Sequence, residues 1–440
     1  MKKYLIFIFL LAVVSGFAQK SKNDSTQLYK KRVLETTEID LLFSYYKQNG
    51  SNAAVTGGIG TEELTDINPV IVVAIPLNDD DVLTIDANIS AYTSASSSNI
   101  NPFDGGDPAD PYVASSGASK GGNSISGAAF YSHSSDDRNN IWTATVSVSS
   151  EFDYLSFGFG GGYTKLFNEK NTELSIKGHV YLDTWKAIYP YELRPFVPGG
   201  MGLNDPFFKQ NTITGNPNYD PVNFHVIHQL GRNSYSLGFG FSQILSKRLQ
   251  ALLSLDLILQ NGLLSTPFQR VYFTDVVGSF IQNIQLADDI ERLPNSRFKV
   301  AIGLQANYYI NEWLVLKGYY RYYFDDWGIN SQTASLEVPV KIAEKFTIYP
   351  SYRFYLQSAA DYFAPYEQHL STETYYTSDY DLSKFSANQY GLGLTYTDIF
   401  TRFHISIFHL KSIDLNFLYY KRNTGFTSGL AAVDFKFLVE

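Results

Sequence analysis

The feature that most constrains this chain is a period-two alternation of apolar and polar residues, repeated over segments of about ten residues along most of its length. In 172–185, Leu174, Ile176, Val180 and Leu182 fall on one side and Glu173, Ser175, Lys177, His179 and Asp183 on the other. In 249–260, Leu249, Ala251, Leu253, Leu255, Leu257 and Leu259 stand opposite Gln250, Ser254, Asp256 and Gln260. An amphipathic helix repeats its apolar face every three to four residues, so this pattern has no helical reading. Each segment is a strand with one fully apolar face, and that face must meet lipid or a core.

Such segments are expected at 37–48, 66–77, 82–93, 124–133, 140–150, 154–166, 172–185, 233–245, 249–260, 297–310, 313–325, 332–343, 346–358, 388–398, 409–421 and 429–439. The count is about sixteen, within a range of roughly fourteen to eighteen. The segment 124–133 alternates least clearly and is needed to keep the connections in phase. Turns at 78–81, 134–139, 167–171, 246–248, 311–312 and 344–345 then fall at one end, and the loops 94–123, 186–232, 261–296 and 359–387 at the other. Outer-membrane barrels have short periplasmic turns and long extracellular loops. The expected fold is therefore all-β: an antiparallel transmembrane outer-membrane β-barrel with both termini periplasmic, closed by a last strand in which Val433, Phe435, Phe437 and Val439 alternate with Asp434 and Lys436. Glycine–aromatic stretches at 156–164, 236–242 and 390–396 point glycine into the lumen, where it leaves space and lets strands bend. A β-propeller also repeats aromatic and glycine motifs, but at an even spacing that these unequal loops lack.

The N-terminus reads as an export signal. Met1-Lys2-Lys3 carries charge, Tyr4 to Val14 is an apolar run too short to span a bilayer, and the small Gly16 and Ala18 suit cleavage before Gln19. The expected organisation is a signal peptide over 1–18, a periplasmic segment over 19–36 and the barrel over 37–440. With 0 cysteines there is no lipid anchor on a mature N-terminal Cys, no disulfide, no Cys-ligated zinc, no iron–sulfur cluster and no c-type haem. The 33 Tyr and 32 Phe are an excess that membrane barrels place in interfacial girdles. A net charge of -9 argues against a nucleic-acid partner. The expected partners are outer-membrane lipid and lipopolysaccharide, joined by other outer-membrane or periplasmic proteins if the barrel serves an assembly.

The blocks Tyr29-Lys30-Lys31-Arg32-Val33-Leu34-Glu35, Glu38 to Tyr46 and Val55-Thr56-Gly57-Gly58-Ile59-Gly60-Thr61-Glu62 resemble the DUF3570 family of exported Bacteroidota proteins. The signal ending Phe17-Ala18-Gln19 is similar in style. The resemblance implies an outer-membrane barrel of undefined function and supplies no active site.

Lumen-facing charges cluster on four successive strands: Arg297 and Lys299, Lys317 and Arg321, Glu337 and Lys341, then Arg353. Strands lie about 4.8 Å apart, so these side chains reach one another. They form either a basic wall that selects anions, as rings of Arg or Lys do in pores, or a neutralised wall with Glu337, Asp325 and Asp256 as partners. Tyr319, Tyr323, Tyr349 and Tyr355 share the wall and offer a ring-stacking track. No cofactor is expected apart from calcium at Asp104, Asp107 and Asp110, whose carboxylates sit in a turn-rich stretch without EF-hand spacing. Asp79-Asp80-Asp81 reads as a solvated turn. An outer-membrane hydrolase would need Ser and His together at the lipid boundary, which His404-Ile405-Ser406 offers if extended, without the surrounding lipase pattern. The expected function is non-catalytic: porin-like passage of small hydrophilic solutes, or a closed barrel subunit of an envelope assembly for outer-membrane biogenesis, secretion or transport.

Overall fold

The computed structural model describes residues 31–94, 122–151, 153–398 and 400–439. The signal peptide 1–18, most of the segment 19–36, and nearly all of the loop 94–123 with Asp104, Asp107 and Asp110 lie outside the described residues. The compact unit Val33–Glu440 contains the barrel.

Its strands are β1 Thr37–Asn49, β2 Leu64–Pro76, β3 Asp81–Ser94, β4 Gly122–Ser134, β5 Asn140–Ser150, β6 Tyr154–Phe167, β7 Thr172–Trp185, β8 Gly231–Ser246, β9 Leu249–Gly262, β10 Ser296–Asn311, β11 Leu314–Asp325, β12 Asn330–Glu337, β13 Phe346–Gln357, β14 Phe385–Thr397, β15 Phe408–Arg422 and β16 Thr427–Val439. Each pairs antiparallel with its sequence neighbour, and β1 pairs β16 from Thr37↔Val439 to Asn49↔Thr427, so the sheet closes with no free edge. Closure is what lets a sheet lie in lipid, where an unpaired backbone group finds no water. The sixteen strands stand where the alternation put them, the weak 124–133 segment included. One expected strand, 332–343, is broken: Val338 and Pro339 interrupt it and Val340–Ala343 resumes the pairing. Pro339 has no N–H to give to the ladder.

The outer face carries the apolar set, including Leu174, Ile176, Phe157, Phe159, Leu253, Ile302, Leu304 and Leu392, all large side chains left open to the surroundings. Aromatic pairs lie on it: Phe346 and Tyr396, 5.3 Å apart, near the short turns, and Tyr352 and Tyr390, 5.3 Å apart, at mid-height of the same two strands. The glycines of 156–164, 236–242 and 390–396 face the lumen as expected, except Gly161, which shares the outward parity of Phe157 and Phe159, and three of them make room for a ring. A Cβ on Gly160 would collide with the His179 ring, one on Gly158 would meet the Tyr181 ring at 2.8 Å, and one on Gly393 would overlap the Tyr349 ring.

At the long-loop end, loops 50–63, 186–230, 263–295 and 358–384 fold onto one another as a cap. Leu193, Phe208 and Tyr219 from the second loop pack with Tyr272, Ile281, Leu286 and Ile290 from the third. Ala53 and Val55 pack against Ile188 and Phe268, and Phe273 and Val271 against Tyr376. A short sheet of Ile213–Gly215, Ser279–Ile281 and Ile284–Gln285 stitches the second and third loops. The Asp79–Asp81 turn is tied rather than merely solvated: Arg138 pairs with Asp80 and donates to the Asp79 carbonyl at 2.8 Å.

Candidate functional site

The alternation fixes which charges enter the lumen, and cross-strand register fixes which of them meet. Arg297 on β10 grips Asp325 on β11 through Nε at 3.0 Å and lies 4.3 Å over the Trp327 ring. Lys299 faces Asp325 directly in register. Lys317 pairs with Glu337 at 2.8 Å. Lys341 sits opposite Thr347 near the short turns, away from the others. Asp256 faces Gly238 and Ala301 and meets none of the wall's cations in register. The lumen therefore neutralises two of the expected wall cations, Arg297 and Lys317, with carboxylates of the adjacent strand.

Arg321 and Arg353 are different. They line a cavity of about 410 Å³ on the lumen side of β11 to β15, together with Tyr323, Tyr355, Tyr420, Gln389 and Arg422. Among the described residues neither has a carboxylate within ion-pair distance, and Arg321 only lies 5.8 Å over the Tyr323 ring. Arg422 is held between Phe385 and Phe426, with ring centroids at 4.4 and 4.6 Å, and its Nη1 donates to Asp381 Oδ1 at 2.6 Å. Asp381 comes from the cap loop 358–384, not from the barrel. Gln357, on the lumen face at the top of β13, anchors that loop by donating to the carbonyls of Asp381 at 2.9 Å and Ser383 at 2.6 Å.

Above this cavity the cap holds several carboxyls away from water. Burial pushes Asp379 up to about 6, with the Asp381 charge adding to it. Burial pushes Glu291 up to about 8, reinforced by Asp379. Glu62, also raised by burial, accepts from the Asn52 amide at 3.0 Å. Glu192 and Arg270, 0% and 2% exposed, form a two-pronged pair at 2.7 and 3.0 Å.

Sequence reasoning found Arg321, Arg353, Tyr323 and Tyr355 but missed Arg422, Tyr420 and Asp381. Arg422 continues the parity of Asp414 and Asn416 and lay one residue past the expected strand end. Asp381 sits in an irregular loop where no periodicity exists to read. Tyr349 is spoken for by Asp414, which also accepts from Thr395 at 2.6 Å. The hydrolase geometry does not form: Ser406 is at the tip of a tight hairpin with φ +56°, His404 pairs with His409, and the extended face that would join His404 to Ser406 is absent. A turn in the left-handed region breaks the alternation that reading needed.

A closed antiparallel barrel with an apolar exterior rich in aromatic rings and a charged interior is the architecture of an integral outer-membrane protein. The chain belongs to DUF3570, described as a protein of unknown function, with the match running over residues 124–431. The resembling blocks at 29–62 lie before that segment, so the family signal rests on the strands and loops after them. No curated protein matches the chain in sequence. Among solved structures it is similar to a bacterial polysaccharide outer membrane secretin (10% identity, 91% of this chain and 98% of that one, TM-score 0.44). It is also similar to OccK2 (OpdF) from Pseudomonas aeruginosa, solved in complex with glucuronate (8% identity, 92% and 96%, TM-score 0.40). A third is a BenF-like porin from Pseudomonas fluorescens Pf-5 (8% identity, 92% and 99%, TM-score 0.39). Likeness at this level bears on neither solute nor partner.

Proposed function

We propose that this chain is a non-catalytic outer-membrane barrel that passes small hydrophilic anions, with both termini in the periplasm and the capped end outside. The observation that carries the reading is the contrast along one wall. Arg297 and Lys317 are each matched by a carboxylate, whereas Arg321 and Arg353 face an open cavity with none of their own among the described residues. Guanidinium forks match carboxylate and phosphate oxygens two at a time, and in a partly desolvated lumen they attract anions more strongly than an exposed lysine does.

The test is single-channel conductance of the refolded protein in planar bilayers, with ion selectivity from reversal potentials. Open steps with anion preference are expected, and Arg321→Gln with Arg353→Gln should move selectivity toward cations. A silent bilayer from a demonstrably folded barrel refutes passage. It would favour a second reading, supported by the packed core of the cap: a closed barrel subunit of an envelope assembly, with other outer-membrane or periplasmic proteins as partners.

A further inference from the structure

Resting on the anion-passage reading, we propose that Asp381 is a tethered competitor in the Arg321–Arg353–Arg422 cavity, and that the solute it competes with is a small doubly charged anion bearing carboxylate or phosphate oxygens. Asp381 is the single carboxylate among the cavity's lining residues, and it occupies Arg422 while Arg321 and Arg353 stay open. Asp381, with Glu62 nearby in the cap, serves Arg422, which leaves the two positive charges of Arg321 and Arg353 to be matched from outside. A void of about 410 Å³ is within the size range of small-molecule sites.

The contact is built to exchange. The Asp381 side chain is 70% exposed, whereas Arg422 is 14% exposed and fixed between two rings. An ion pair whose carboxylate is mostly hydrated is weak, so an incoming anion replaces it at little loss. The backbone under Asp381 need not follow. Its N–H donates to Asp379 Oδ1 at 2.9 Å, and its carbonyl is held by Gln357. Release is a side-chain rotation that leaves the cap loop in place, and the arginine stays where the solute needs it.

The experiment is titration calorimetry of the full refolded protein in detergent at low salt. The probe is inorganic phosphate at a pH where it is doubly charged, with acetate as the singly charged control. Wild type should prefer phosphate to acetate. Asp381→Asn, which keeps the shape and removes the charge, should bind phosphate about two- to fivefold tighter, the range of an exposed ion pair. Arg353→Gln should weaken it by about tenfold or more, as loss of a charged hydrogen-bond donor does. Circular dichroism confirms strand content in each variant. Asp381→Asn binding phosphate no tighter than wild type, while Arg353→Gln still weakens it, overturns the competitor role and leaves anion passage standing. Phosphate binding that neither substitution alters, or that none of the proteins shows, overturns both. Equal affinity for acetate and phosphate overturns the doubly charged class.

Discussion

Replacing Glu192 by Gln should loosen the cap without touching the barrel. Arg270 is fully enclosed, and its guanidinium is met by Glu192 at 2.7 and 3.0 Å and by the Val55 carbonyl at 3.1 Å. The same carboxylate accepts from the Ala287 amide at 3.3 Å, so the pair joins three loops at once. With Gln, the buried cation keeps a hydrogen-bond acceptor but loses its countercharge. Breaking a buried pair from one side costs about 3–5 kcal/mol. At one power of ten per 1.4 kcal/mol, that lowers amide protection in the cap by roughly two to three and a half powers of ten. Hydrogen exchange followed by mass spectrometry reads this at Leu286, whose amide donates to Ser279, and Asp288, whose amide donates to Val271. Amides of β9 and β10 serve as the control and should not move. A double variant, Glu192→Leu with Arg270→Met, should recover most of the loss, because apolar groups of similar size remove both charges together. Recovery stays incomplete by at least about 1–3 kcal/mol, since the Val55 carbonyl loses the Arg270 donor and the Ala287 amide loses the Glu192 acceptor. Unchanged exchange at Leu286 and Asp288 in Glu192→Gln would refute the view that this pair holds the loops.

Gly58→Ala should also open the cap, since φ is +90° and the new Cβ would sit 2.7 Å from the Ser378 carbonyl; a loss above about 1–2 kcal/mol is expected from conformation alone, read by the same exchange experiment. The cap should weaken as pH rises: Glu291 titrates near 8 when enclosed against 4.5 when free, so the proton it keeps in the folded cap stabilises fully below 4.5 and is lost on the way up through 8. Glu291→Gln should flatten that slope, measured as the ratio of proteolytic nicking of variant and wild type at each pH, and an unchanged ratio across the range would sink it. In this cysteine-free chain, Asn218→Cys should label on intact cells with an impermeant reagent and Asn311→Cys should not; the reverse pattern inverts the proposed orientation.

The strands were legible because lipid on one side and water on the other impose a two-residue period that survives any choice of individual residue. Leu174 to Leu182 and Leu249 to Leu259 show it without help from neighbours. The glycines facing the lumen were legible for the same reason, though not the rings that lie across them. The cap was illegible because its core is assembled from contacts with no period. Glu192 and Arg270 are 78 residues apart, and nothing near either marks it as buried. The Thr56-Gly57-Gly58-Ile59-Gly60 block was visible as a motif, but its reason emerges only when Tyr272 and Ser378 are seen pressed against Gly57 and Gly58. The wall was half legible: parity placed Arg297, Lys317, Arg321 and Arg353 in the lumen, and register then separated the matched from the unmatched.

Two kinds of charge contact divide the labour at the capped end, and the division bears on the route a solute would take under the proposed function. Arg270 with Glu192 is enclosed, and Arg292 holds Asp289 through two bonds at 2.9 and 3.0 Å while Tyr376 donates to the same carboxylate. Opening a path through the cap by parting its loops would strip these pairs and open its apolar cores, a cost of several kcal/mol for the first pair alone. The contact between cap and lumen cavity at Arg422 is instead exposed and exchangeable. On the proposed anion passage, the route this division favours runs beside a standing cap, past Arg422, rather than through an opened one. Loosening the cap with Glu192→Gln should then leave unitary conductance unchanged, while Asp381→Asn alters anion block of the current. A rise in conductance with Glu192→Gln would make the cap itself the barrier.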